Sequence, residues 1–98
     1  MISSSSIQNA YNGLYKELRK YIWDFSVVAA LADLEIATYK RFQNLSDVRT
    51  KFYHLRSQIT DVLHTDEDLK DAVDAFENIL EDQEVFVKIN QVEEVLQV

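Results

Sequence analysis

Apolar residues recur along this chain at alternating spacings of three and four, the signature of helix faces. Ile7, Tyr11, Leu14, Leu18, Tyr21, Phe25, Val28 and Ala32 mark the first such stripe. Ser5-x-x-Gln8 stands ahead of it at capping-box spacing, so the hydroxyl and the amide can each satisfy an orphan backbone N–H. Asn12-Gly13 would suit a hairpin turn, but here it interrupts a helical stripe and reads as a weak spot in a helix.

From Ile22 to Phe42 the pattern widens. Ile22, Phe25, Ala29, Ala32, Ile36 and Tyr39 form one stripe, and Trp23, Val27, Leu31 and Leu34 form another. A helix that is apolar on most sides is buried on most sides. Run together over 6–43, it would be about 57 Å long at 1.5 Å per residue. A compact chain of this size has a radius of gyration of about 13 Å. The helix therefore either breaks or projects and is covered by a second chain. Self-association is the expectation favoured here.

Leu45, Val48, Phe52, Leu55, Ile59 and Val62 follow in a narrow seam resembling that of a coiled coil, with Asn44 or Ser46 able to cap its start. Arg49 and Arg56 flank the seam as ion-pair candidates. The next helix is expected to begin at Thr65, with Asp68 at capping-box spacing, and carries Leu69, Val73, Phe76 and Leu80. Val85, Ile89, Val92 and Leu96 repeat at helical spacing but half a turn out of phase with Leu80. A break near 81–85 is therefore expected. The segment VFVKI could instead be a strand that pairs with another molecule.

Composition narrows the class. The 98 residues suit one domain, and no proline and a single glycine argue against turn-rich β architectures. With no cysteine, disulfides and thiolate metal sites are excluded. MISSSSIQNAY has neither the basic nor the apolar region of a secretory signal. The longest charge-free apolar run, FSVVAALA between Asp24 and Asp33, is far short of a bilayer span. These features suggest a soluble, intracellular, cytoplasmic protein, with virion association as an alternative.

Charge is divided unevenly. Residues 1–65 carry eight Lys/Arg against six acids, whereas residues 66–98 carry two lysines against eleven acids. The overall charge of −7 argues against direct nucleic-acid binding, which needs a basic footprint. Lys16, Arg19 and Lys20, or Arg49, Tyr53 and Arg56, are too few to supply one.

Candidate chemistry is sparse. Asp66, Asp68, Asp74 and Glu77 fall at calcium-loop positions, but Lys70 occupies a ligand position and Asp71 the position of the turn glycine. Asp61-x-x-His64 has the spacing of a di-iron ligand pair without a second copy, and His54 lies off the seam. Neither a nucleophile motif nor a Gly-rich phosphate loop is present. No catalytic residue, metal or cofactor is assigned, and the chain is not expected to be an enzyme.

The fold expected is all-α: an elongated three- to four-helix bundle, oligomeric, with a long N-terminal helix. Its helices would span about 6–43, 45–63, 66–82 and 84–97, after a flexible Ser-rich lead over 1–5. The leading expectation is a non-enzymatic interaction or assembly protein with a protein partner that includes itself. Trp23, Phe25, Val27, Leu31, Leu34, Phe42, Phe52 and Phe86 would anchor its contacts, because large apolar and aromatic groups dominate interface energies. The alternative is a small acidic inhibitor or regulator of the phage or mobile-element type. Its 66–84 face, with Glu67, Asp71, Asp74 and Glu81, would dock on a basic, nucleic-acid-handling protein.

Overall fold

The computed structural model describes residues 4–40 and 44–97, with side chains over 6–40 and 44–82. The chain is all-α: α1 (Ser4–Leu18), α2 (Phe25–Tyr39), α3 (Leu45–Gln58), the single turn α4 (Thr60–Leu63) and α5 (Glu67–Gln97). No strand occurs among the described residues. The four longer helices close a ring in which α1 and α3 each touch both α2 and α5, leaving α2 and α5 diagonally opposed. Neighbours run antiparallel. The Tyr11 hydroxyl in mid-α1 reaches Glu35 late in α2, while Trp23 ahead of α2 reaches Leu18 at the end of α1.

The stripes read from sequence fill the space inside this ring. Ile7, Tyr11, Leu14 and Leu18 come from α1, and Val27, Ala30, Leu34 and Ala37 from α2. Val48, Phe52, Leu55 and Ile59 join them from α3 and its end, and Leu69, Val73, Phe76 and Leu80 from α5. Phe52 stacks on Phe76 with ring centroids 4.7 Å apart. Such a pair adds about 0.5–1.5 kcal/mol beyond the area it buries.

The expected helix over 6–43 is two helices. At the end of α1, the Lys20 and Tyr21 N–H groups turn back to carbonyls only three residues behind, which tightens and closes the last turn. The Trp23 indole N–H then donates to the Leu18 carbonyl at 2.7 Å. The Asp24 carboxylate accepts the Val27 N–H at 3.0 Å and caps the start of α2. Side chains thus satisfy backbone groups on both sides of the break. Folding back lays α2 along α1, and the chain closes to a radius of gyration of 14.8 Å.

Two further boundaries differ from the sequence reading. The helix expected over 45–63 divides at Ile59, where the Thr60 hydroxyl is within bonding distance of the Arg56 and Ser57 carbonyls and competes with the regular ladder. Asp66, rather than Thr65, caps α5 by accepting the Leu69 N–H at 3.1 Å, while the Thr65 hydroxyl donates to Val62. The α5 backbone then continues to Gln97 with no break near 81–85 and no strand at VFVKI. Neither proline nor glycine interrupts it. Of the Ser-rich lead, Ser4 and Ser5 open α1, and residues 1–3 lie outside the described residues. No helix among the described residues is long and apolar enough to cross a membrane.

Candidate interaction surfaces

Because α2 starts at an Asp24 cap and runs antiparallel to α1, the two stripes of the 22–42 segment receive opposite fates. Val27, Ala30, Leu34, Ala37 and Thr38 point inward and are buried. Trp23 and Leu31 pack against the same core from its margin. The stripe of Ile22, Phe25, Ala32, Ile36 and Tyr39 faces outward instead, with Val28 exposed in place of the half-buried Ala29. Phe25 is 86% exposed, Val28 52%, Ile36 60% and Tyr39 46%, with Ala32 exposed among them. Ile22, in the turn before α2, is fully in solvent.

One edge of this outer face is pinned to α1. The Tyr39 hydroxyl donates to Asn12 Oδ1 at 3.0 Å, and its ring meets Tyr11 edge-on at 6.2 Å. Tyr15 stacks on the other side of Tyr11. The Tyr11 hydroxyl lies 3.4 Å from Glu35 Oε2, and burial together with the Glu35 charge pushes its pKa well above the usual phenol range. Asp33 and Glu35 are the acids of α2, and they flank the apolar stripe rather than interrupt it. The outer face is an uncharged strip about 21 Å long, from Phe25 to Tyr39 at 1.5 Å per residue.

The apolar anchors named from sequence therefore separate. Val27, Leu34 and Phe52 lie in the chain's own core and offer nothing to a partner. Trp23 and Leu31 are half-buried, and Phe25 stands free. Phe42 lies outside the described residues, as does the side chain of Phe86. Sequence reasoning identified the outer stripe but left Val28, Ile36 and Tyr39 out of the anchors. The signal that sorts the stripes is Asp24, an N-cap residue standing directly before the apolar run.

A second surface is the outer face of α5. Glu67, Asp71, Asp74, Asn78 and Glu81 are all exposed, opposite the buried Leu69, Val73, Phe76 and Leu80. Glu67 and Asp68 in the first turn are favoured by the helix dipole. The Tyr53 hydroxyl lies 3.4 Å from Glu77 Oε1. Arg49 is half-buried; Arg56 is exposed and lines an open polar cleft with Lys70, Asp66 and Asp74. No ion pair between Arg56 and Asp74 forms among the described residues.

At the head of that cleft the carboxylates of Glu17, Asp66 and Asp68 lie within 4.8 Å of one another. Lys20 pairs with Glu17, the Tyr21 hydroxyl donates to Asp66, and Asp66 also caps α5. These contacts tie Glu17 and Asp66 into the chain's own fold. The calcium-loop spacing fails on geometry, because Asp68, Asp74 and Glu77 ride on a regular helix with no loop to gather them. His54 and His64 are both exposed, and His54 Nε2 sits 3.0 Å from Gln58 Nε2 on its own helix.

No known protein family, curated protein or solved structure matches this chain.

Proposed function

We propose that this chain is a non-enzymatic interaction protein that assembles by helix–helix contact through the outer face of α2. One observation carries the reading: Phe25, Val28, Ala32, Ile36 and Tyr39 form a continuous, uncharged, solvent-facing stripe along the whole helix. Exposed apolar residues scattered singly are ordinary, but contiguous patches mark contact surfaces. With roughly 200 Å² for an aromatic side chain, the exposed fractions give a strip on the order of 500 Å². That is at the upper end for a monomer, and aromatic and aliphatic groups of this kind supply interface anchors.

The test is the size of the species the chain forms in extracts of its native cells. Size exclusion at about 0.15 M and 1 M salt, probed for the chain, should show a complex well above the 11.4 kDa monomer that survives high salt. A Val28→Asp/Ile36→Asp variant with an unchanged helical circular dichroism spectrum should elute as the monomer. A complex of unchanged size would overturn the reading.

The acidic outer face of α5 supports a second reading, in which the chain docks on a basic, nucleic-acid-handling protein as a small inhibitor or regulator. Glu67, Asp71, Asp74 and Glu81 are exposed and make no ion pair among the described residues. Contacts of that kind steer encounter and weaken with salt. A complex that dissolves at 1 M salt and is indifferent to Val28→Asp/Ile36→Asp would favour it.

A further inference from the structure

The outer face of α2 has an internal symmetry that points to its partner. Resting on the reading above, we propose that the face binds a second copy of this chain, α2 against α2, antiparallel about a two-fold axis at Ala32. Phe25 and Tyr39 each lie seven residues from Ala32, and Val28 and Ile36 each lie four. The spacings along the stripe are therefore three, four, four and three, the same read from either end. A two-fold interface requires that if one residue meets another across it, the reverse contact also forms. Turning the helix end for end sets Phe25 against Tyr39, Val28 against Ile36 and Ala32 against Ala32. Large faces large at the ends, and small faces small at the centre.

The same steps average 3.5 residues, the repeat that keeps a seam between two helices wound shallowly on each other. Alanine at the crossing allows the axes to approach toward the short end of the usual range of about 8–10 Å. Charge selects the direction. Asp24 precedes the stripe and Lys40 follows it, each eight residues from Ala32. Antiparallel pairing sets Asp24 level with Lys40 at both ends, whereas parallel pairing sets like level with like; Asp33 and Glu35 beside the stripe add repulsion in either direction. Lys40 Nζ lies 3.6 Å from Asp47 with its side chain about half exposed, so that contact leaves room for a second acid.

Among the described residues, the rest of the surface offers a copy no other apolar patch. The exposed large apolar residues among those described are Tyr15, Ile22, Phe25, Val28, Ile36, Tyr39 and Tyr53. Among these, only Tyr53 stands apart from α2 and the tyrosine edge beside it. Two strips on the order of 500 Å² each bury a total of about 1,000 Å², which reaches the lower bound for a specific interface. Each copy carries a net charge of −7, so added salt should strengthen the pair by screening repulsion.

The test uses the purified full chain in light scattering and sedimentation across micromolar concentrations. The wild type should approach twice the monomer mass, and more so at 1 M salt. Ile36→Asp should raise the dissociation constant at least 100-fold, because symmetry places the carboxylate in the interface twice. The chain has no cysteine, so single replacements report register directly. Ala32→Cys should oxidise to a homodimer, and Val28→Cys mixed with Ile36→Cys should cross-link to each other. Val28→Cys cross-linking chiefly to itself would overturn the antiparallel register. A pure chain that stays monomeric at every concentration and salt would overturn the dimer. If native-extract complexes still collapse in Val28→Asp/Ile36→Asp, the face serves a different protein; if they are indifferent to it, the reading of the face fails as well.

Discussion

Helices α2 and α5 stand diagonally across the molecule and solve the same problem in opposite ways. Each buries one apolar stripe against the helices on either side. Opposite its stripe, α5 turns Glu67, Asp71, Asp74 and Glu81 to water, so over 67–82 it is complete as the outer wall of a single chain. Opposite Val27, Leu34 and Ala37, α2 turns out Phe25, Val28, Ile36 and Tyr39. Hydrophobicity therefore orients α5 strongly and α2 hardly at all. Which side of α2 faces inward is set by the turn at 19–24, where Trp23 holds Leu18 and Asp24 caps Val27. An outer face that folding does not need, and that leaves apolar surface in water, is what the proposed contact would cover.

The comparison within α2 breaks most directly on a matched pair of truncations. Leu34→Ala removes a fully buried side chain and should cost about 2–5 kcal/mol in urea unfolding. Ile36→Ala, two residues on but 60% exposed, should stay within about 0.5 kcal/mol. Both measurements belong at concentrations low enough that self-association does not add stability through mass action. A larger loss for Ile36→Ala than for Leu34→Ala would mean that the inner and outer faces have been exchanged.

The helical class was legible because Leu45 to Val62 and Leu69 to Leu80 keep one period without competition. The same period misled across 19–24. Phe25, Val28 and Ala32 continue the stripe of Leu14 and Leu18 in phase, so a straight helix would place them on the core side. Chain reversal discards that phase, and nothing in a hydrophobic period reports reversal. Capping chemistry does report it: Asp24 before an apolar run was visible, but it served only to bound a charge-free segment. At 81–85 the error ran the other way. The stripe shifts by half a turn there, yet no residue between Thr65 and Gln97 stops a helix, and the backbone continues. The outer face of α2 was readable as a stripe, but its exposure was not, because only the packed fold decides which of two apolar stripes is used.

A smaller effect tests the turn that decides it. Asp24→Ala removes the carboxylate that satisfies the Val27 N–H, and loss of such a cap typically costs about 0.5–2 kcal/mol. Thermal unfolding should show a lower midpoint, and Asp24→Asn should recover most of it because an amide oxygen also accepts. The two faces of α2 depend on where this helix starts. The hydrogen-exchange protection lost in Asp24→Ala should therefore concentrate in the first turn of α2. Loss spread evenly over α2 and α5 would mean that packing alone holds the turn.

The smallest expected effect probes Asp66, the cap of α5, whose carboxylate is tied into the fold. The Tyr21 hydroxyl and then the Leu69 N–H hold the Asp66 carboxyl below the ordinary carboxylate range. The same bond holds the Tyr21 hydroxyl above the usual phenol value. A depressed carboxyl contributes stability that is present above its unfolded value of about 4 and is lost as pH falls through the folded value. A raised phenol contributes stability that is present below about 10 and is lost as pH rises through its folded value. Tyr21→Phe should let the Asp66 resonance titrate closer to the ordinary value in NMR while the Leu69 cap remains. The wild type should lose more stability than the variant both on acidification from pH 7 to 3 and on raising the pH past 10. If Asp66 titrates unchanged between the two proteins, the Tyr21 contact does not hold in solution.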